Sequence, residues 1–251
     1  MAEPIEKLIT HNNPKSPISE AYRMLRTNIQ FSSFDKPLKT ILVTSTGPSE
    51  GKTTTVCNLA VTFAQSGSTT LVIDTDLRKP KVHKVFNTPN IRGLTNILVQ
   101  KDDFQRMVNE TAVENLYVLT CGAIPPNPSE LLASNAMKSF IEQLRDKYDI
   151  ILIDSPPVGT VTDAAILSTI VDGTILVAAS GVVEIEGLKR SKELLDNVNA
   201  NIIGVVLNKL DKTAKGNYYY YYYYYYGEDN KTRTKKRRKK KHRTNGTIQN
   251  M

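Results

Sequence analysis

A strand, a glycine-bearing loop and a helix follow one another over residues 40–65, and this junction limits the fold more tightly than any other stretch of the chain. Residues 40–44 are β-rich and apolar, as a buried strand requires. Thr46, Gly47, Pro48, Ser49, Glu50 and Gly51 form the loop. Lys52, Thr53 and Thr54 open a helix that runs to about Gln65, where Gly67 can end it. Such a junction gathers backbone N–H groups and a helix N-terminus on one point, which suits a phosphate. Lys52 would then reach the β and γ oxygens, and the Thr53 hydroxyl would ligate Mg²⁺. The strict pattern has glycine six residues before the lysine, where this chain has Thr46.

Further short β-rich runs lie at residues 70–74, 116–120, 149–154, 174–179 and 201–207, with helical patterns such as 135–148 and 186–199 between them. Strands apolar on both faces and separated by helices predict an α/β domain, doubly wound, with a mostly parallel sheet flanked by helices on both faces. Upstream, Ser16 and Pro17 suit the N-cap and first position of a helix whose apolar stripe is Ile18, Tyr22, Leu25 and Ile29. Three segments follow: a flexible arm over 1–15, one domain over 16–210, and a tail over 211–251.

Two strands end in carboxylates. Asp74 and Asp76 lie two apart after residues 71–73, pointing to one side of an extended backbone, and Asp154 follows residues 150–153. In a parallel sheet the strand C-terminal ends share the edge on which the loop lies. Lys52, Thr53, Asp74, Asp76 and Asp154 should therefore converge on one Mg-nucleotide. Asp76 and Asp154 are expected with Thr53 around the metal, and Gly47 to Thr54 around the phosphates. The last strand ends Asn208, Lys209, Leu210, Asp211, a literal NKxD like the guanine-reading motif of GTPases. Asp154 is followed by Ser155, Pro156 and Pro157 rather than by the glycine those proteins place two residues on. Asn208 is expected near the base, and adenine is the favoured base.

The tail differs from the rest. Residues 228–243 hold ten Lys/Arg against two acidic residues, which leaves 23 basic and 23 acidic residues elsewhere. The net charge of +8 thus belongs to the tail and implies no basic groove on the domain, so no specific nucleic acid is expected. Nine of the twelve tyrosines are consecutive: Tyr218, Tyr219, Tyr220, Tyr221, Tyr222, Tyr223, Tyr224, Tyr225 and Tyr226. A phenol run followed by a charge block builds no core and is expected to be disordered. Cys57 and Cys121 have no CxxC spacing, no apolar run nears the ~20 residues of a membrane span, and the N-terminus lacks a signal peptide's apolar region. These features point to a cytoplasmic chain.

The aliphatic DxDxR segment ending at Arg78, the aliphatic DSPP segment ending at Pro157 and the tyrosine-rich tail together resemble the bacterial tyrosine kinases of capsule and exopolysaccharide synthesis, over residues 16–226. The resemblance implies a P-loop NTPase fold of the deviant Walker type, like that of the septum-site and partitioning ATPases, although no second lysine lies between Thr44 and Lys52. It also implies ATP and Mg²⁺, autophosphorylation of the tail, a transmembrane activator, a cognate phosphatase and recruitment to the inner membrane face. Glu20, Arg23 and Arg26 resemble the family's ExxRxxR segment, which packs subunits into a ring; read alone, they make an i,i+3 salt bridge on a solvated helix face.

Within that reading Lys52 holds phosphate, Asp74 and Asp76 divide the metal shell and the phenol proton between them, and Arg78 serves either the transition-state charge or an aspartate. Transfer in trans is what the resemblance favours, though linker length forbids neither cis nor trans. The basic block is open to anionic lipid. The competing reading is a nucleotide-switched positioning ATPase, which has no use for nine clustered phenols.

Overall fold

The computed structural model describes residues 8–32 and 37–210. The chain divides into two units, Met1–Leu210 and Asp211–Met251. The expectations for the tail, its tyrosines and its basic block fall outside the described residues.

The elements of the first unit are α1 (Ile9–Asn12), α2 (Pro17–Phe31), β1 (Thr40–Ser45), α3 (Lys52–Gln65), β2 (Thr70–Asp74), α4 (Val82–Phe86), α5 (Leu94–Gln100), β3 (Val108–Glu110), β4 (Leu116–Leu119), α6 (Pro128–Leu132), α7 (Asn135–Arg145), β5 (Ile150–Asp154), α8 (Asp163–Ser168), β6 (Gly173–Ala179), α9 (Ile185–Asp196) and β7 (Ile202–Asn208). They build a seven-stranded sheet in the order β3-β4-β2-β5-β1-β6-β7. Every pairing is parallel except β3 with β4.

Alternation along the central strands explains why both faces are covered. Ile41 and Val43 of β1 and Leu152 of β5 join Leu8 and α2–α4 in one core, which holds Val56, Leu59 and Val82. Leu42, Ile151 and Ile153 point the other way and pack with Leu94, Met137, Ile141, Leu167 and Leu195 of α5–α9. The doubly wound layout predicted from the apolar runs is what forms.

Two features depart from the sequence reading. Residues 8–15, read as part of a loose arm, carry α1, which packs on α3. Leu8 is buried, and buried Thr10 meets Asn58 of α3 twice, with its N–H at 3.1 Å and its hydroxyl at 2.9 Å from Oδ1. A four-residue helix has no periodicity to betray it. The short antiparallel β3 was likewise not expected; three residues flank no repeating pattern.

α2 begins as its sequence suggests, with the Ser16 hydroxyl accepting the Ser19 N–H at 3.1 Å and Pro17 in the first turn. Tyr22, Leu25 and Ile29 face the core beside α3. No helix among the described residues is long and apolar enough to cross a membrane.

Candidate nucleotide site

The loop after β1 is held in a conformation that only a few residues tolerate. Ser49 and Gly51 have φ of 64° and 99°, in the left-handed region that glycine enters without steric cost. Gly51 caps α3, and a Cβ there would stand 2.0 Å from Asn208 Nδ2. Asn208 Nδ2 donates to the Glu50 carbonyl at 2.9 Å, and Lys209 Nζ to the Ser49 carbonyl at 2.7 Å. The end of β7 therefore clasps the loop from outside. Glu50 is buried, and its carboxylate accepts the Gly47 N–H. Burial pushes this carboxyl up, with the Gly47 hydrogen bond in opposition.

Asp74 and Asp154 are in register on the neighbouring strands β2 and β5. The Thr75 N–H and hydroxyl both donate to the Asp154 carbonyl, at 2.8 and 2.6 Å, joining the two strand exits. Lys52 Nζ reaches Asp76 Oδ2 at 3.4 Å, both side chains being nearly buried. The Thr53 hydroxyl donates to Asp154 Oδ2 at 2.6 Å. Lys52, Thr53, Asp76 and Asp154 thus meet at the edge where the sequence placed them.

Asp74 lies in the same cluster but is engaged differently. Its Oδ2 accepts the N–H groups of Lys81 and Val82, each at 3.0 Å, and its Oδ1 accepts that of Asp76 at 3.2 Å. The carboxylate folds the β2 exit loop. Burial first, and then the charge of Asp154, push the Asp74 carboxyl up. Burial raises Asp154 too, against the lowering effects of Lys52 and the Thr53 hydroxyl.

Arg78 pairs with an aspartate that the sequence reading did not single out. Its Nε and Nη2 donate to Asp163 at 2.9 and 3.1 Å. Asp163 opens α8 before an apolar run, a position that reads as a helix start rather than as part of a site. In α2, Glu20 and Arg23 form an i,i+3 ion pair, Arg23 also reaches the Pro14 carbonyl at 2.6 Å, and Arg26 donates to the Thr62 carbonyl at 2.8 Å. An open hollow of about 350 Å³, lined by Ile29, Phe31, Leu38, Phe63 and Ile150, lies by the starts of β1 and β5, at the other end of the strands from the aspartates.

The donor set fits Mg²⁺. Asp154 Oδ1 is buried without a hydrogen-bond partner, next to a threonine hydroxyl and within a carboxylate cluster in which Lys52 pairs with Asp76. A carboxylate in that setting is satisfied by a divalent ion. The described residues contain no cluster of three or more His, Cys, Asp or Glu that could hold a metal. Mg²⁺ needs no such cage, since it is held by one or two carboxylates plus phosphates and water.

Residues 38–208 match the family model described as an AAA domain. The chain is 44% identical over 214 residues to the putative tyrosine-protein kinase CapB of Staphylococcus aureus, covering 85% of this chain and 94% of that one. It belongs to the bacterial tyrosine kinases. Its fold superposes on the kinase domain of the Escherichia coli tyrosine kinase ETK with a TM-score of 0.80 at 34% identity, covering 84% of this chain and 83% of that one. The septum site-determining protein MinD of Pyrococcus horikoshii, solved with Mg-ADP, gives a TM-score of 0.60 at 26% identity, covering 70% and 72%. The kinase thus shares its sheet with nucleotide-binding positioning proteins, as the resemblance implied.

Proposed function

We propose that this kinase transfers the γ-phosphoryl group of ATP to the tyrosines at 218–226 of its own tail, in trans within a homo-oligomeric ring, and that it thereby regulates capsule or exopolysaccharide synthesis. The observation that carries this reading is the convergence of Lys52 and Thr53 with Asp76 and Asp154 at one sheet edge, in a chain with nine consecutive phenols. A transmembrane activator, a cognate phosphatase and recruitment to the inner membrane face belong to the same proposal, with Glu20, Arg23 and Arg26 at the ring interface.

Phosphoryl transfer passes through a loose transition state, so positioning and neutralisation of charge do most of the work. Lys52 and the backbone from Gly47 to Thr53 would hold the phosphates, while Thr53 and Asp154 would hold Mg²⁺, with Asp76 beside them. Bound there, the ion supplies neutralisation of the phosphate oxygens. Asn208, fastened to the loop, would stand near the adenine.

A tyrosine titrates near 10 and an aspartate near 4, so early removal of the phenol proton by a carboxylate is uphill. Acceptance late in transfer fits better. Both oxygens of Asp74 are engaged by backbone N–H groups, and those of Asp76 by the Lys79 N–H and Lys52 Nζ, so Asp74 and Asp76 are equal candidates for the acceptor.

Mixing two variants tests the trans step. Lys52→Met keeps the tail and loses the phosphate-binding lysine, whereas changing all nine tail tyrosines to Phe keeps the site and loses the acceptors. With ATP carrying a labelled γ-phosphate and an activator peptide, label on the Lys52→Met chain only in the mixture supports transfer between chains. Wild-type labelling that never appears in the mixture overturns it.

The basic block adds an electrostatic element. Each phosphotyrosine carries about −1.5 to −2, so about four or five would cancel the +8 of residues 228–243. The unphosphorylated tail would bind an anionic lipid surface, and the phosphorylated one would leave it.

A further inference from the structure

We infer that Asp163 is a positioning residue for phosphoryl transfer, which acts by fixing the β2 exit loop, with Asp76 and Arg78, against the β5 exit. The inference rests on the kinase reading and adds a residue to it.

Three segments meet at Asp163. Arg78 comes from the β2 exit, Ser129 from α6, and Asp163 itself from the start of α8. The Asp163 carboxylate is entirely buried, and each oxygen is used. Oδ2 accepts Arg78 Nε at 2.9 Å, while Oδ1 accepts Arg78 Nη2 at 3.1 Å and the Ser129 hydroxyl at 2.6 Å. Arg78 Nη2 also donates to Ser129 Oγ at 2.9 Å, which closes a triangle.

What the triangle connects gives it its role. The stretch from Asp154 to Asp163 is strapped to the end of β1. The Ser155 N–H donates to the Val43 carbonyl at 3.2 Å, and the Val158 N–H to the Ser45 carbonyl at 2.9 Å. The Thr44 hydroxyl donates to the Pro156 carbonyl at 2.8 Å. A Cβ on Gly159 would stand 2.4 Å from the Thr46 carbonyl, so this stretch presses on the start of the phosphate loop. The position of α8 is therefore set by the phosphate loop. Asp163 passes that position to Arg78, two residues from the Asp76 that meets Lys52.

Stability alone is a weak reason for such a group. A buried carboxylate pays a desolvation cost that a half-exposed arginine partner offsets poorly, and neutral replacements of buried ion pairs are often no less stable. Alignment has a stronger claim, because displacement of reacting groups by about 1 Å can cost on the order of 10²-fold in rate.

The test compares the full-length wild type with Asp163→Asn, Arg78→Gln and the double variant. Tyrosine labelling and free-phosphate release are followed in parallel over a range of ATP concentrations, with Mg-ADP affinity and thermal unfolding measured alongside. The expected result for Asp163→Asn is a kcat lower by about 10- to 100-fold, with nucleotide KM and Mg-ADP affinity within about 2-fold. The double variant should be no slower than the slower single one, since both act through one contact.

An unchanged kcat in folded Asp163→Asn overturns the inference, as does a loss carried wholly by nucleotide affinity or losses that multiply. If Asp163→Asn does not fold, Ser129→Ala, which removes one hydrogen bond to the same carboxylate, should lower kcat several-fold at unchanged KM; an unchanged kcat there overturns it equally. Should the wild type release phosphate without labelling tyrosine, the kinase reading has failed, and kcat for phosphate release still judges Asp163.

Discussion

At the scale of single residues the site buries three carboxylates, Asp74, Asp76 and Asp154, with Lys52 paired to Asp76. Asp74 and Asp154 are both buried, and burial raises both carboxyls above their ordinary value. The sign of the linkage follows. A carboxyl that binds its proton more tightly in the folded than in the unfolded chain favours the fold at low pH, and that contribution is lost as pH rises. Nucleotide-free protein should therefore lose stability as pH climbs from about 4 through neutrality. Asp154→Asn removes one charge while keeping an oxygen for Thr53. Denaturant unfolding should find it more stable than the wild type at pH 8, on the order of 1–3 kcal/mol, with the gap closing toward pH 4. Its phosphoryl transfer should fall at least 10²-fold, the exchange of stability for activity common in active sites. At Gly51, alanine brings both a strained φ and a clash with Asn208. Gly51→Ala should weaken Mg-ADP binding at least tenfold by calorimetry, about 1.4 kcal/mol or more.

Elements explain how these residues come to meet, and which of them could be read in advance. Six of the seven strands announce themselves as apolar runs, and parallel packing then brings Lys52, Thr53, Asp76 and Asp154 to one edge. Asp74 was read into the same cluster, but its use of both oxygens on loop N–H groups is a tertiary detail that strand spacing does not encode. Asp163 escaped notice because Asp at the start of a helix is ordinary local chemistry, and its partner lies 85 residues away. β3 and α1 are too short to leave a period.

The opposite end of the strands offers a prediction at this scale. Asp172 Oδ2 accepts the N–H groups of Lys39 and Thr40, each at 2.9 Å, and Arg145 Nη1 at 2.7 Å, tying β1 and α7 to the start of β6. Burial pushes the Asp172 carboxyl up, but the Arg145 and backbone hydrogen bonds outweigh it, and the net shift is downward. Its stabilisation is present above the ordinary carboxylate value and is lost as pH falls below it. Asp172→Asn should cost about 1–3 kcal/mol at pH 7, with the difference from wild type shrinking below pH 4 in denaturant titrations.

For the whole molecule, the balance of charge between domain and tail is the distinctive feature. Residues 1–210 hold 21 basic and 22 acidic residues, so the net charge sits on the segment that also holds the nine proposed phosphate acceptors. Unphosphorylated protein should sediment with phosphatidylserine vesicles at low salt and release as salt or phosphorylation rises, each Lys/Arg contributing about 1 kcal/mol at such a surface. Vesicle binding that survives deletion of residues 231–243 would remove the lipid role. Tyr22, Tyr117 and Tyr148 pack within the folded domain, which is why the nine tail phenols are the acceptors we propose. The intact mass of full-length protein, after incubation with Mg-ATP and an activator peptide, tests this most directly. The wild type should show a ladder of ~80 Da additions, absent from Lys52→Met and from the chain with all nine tail tyrosines changed to Phe. ATP consumed with no gain in mass would contradict it and turn the reading toward a positioning ATPase.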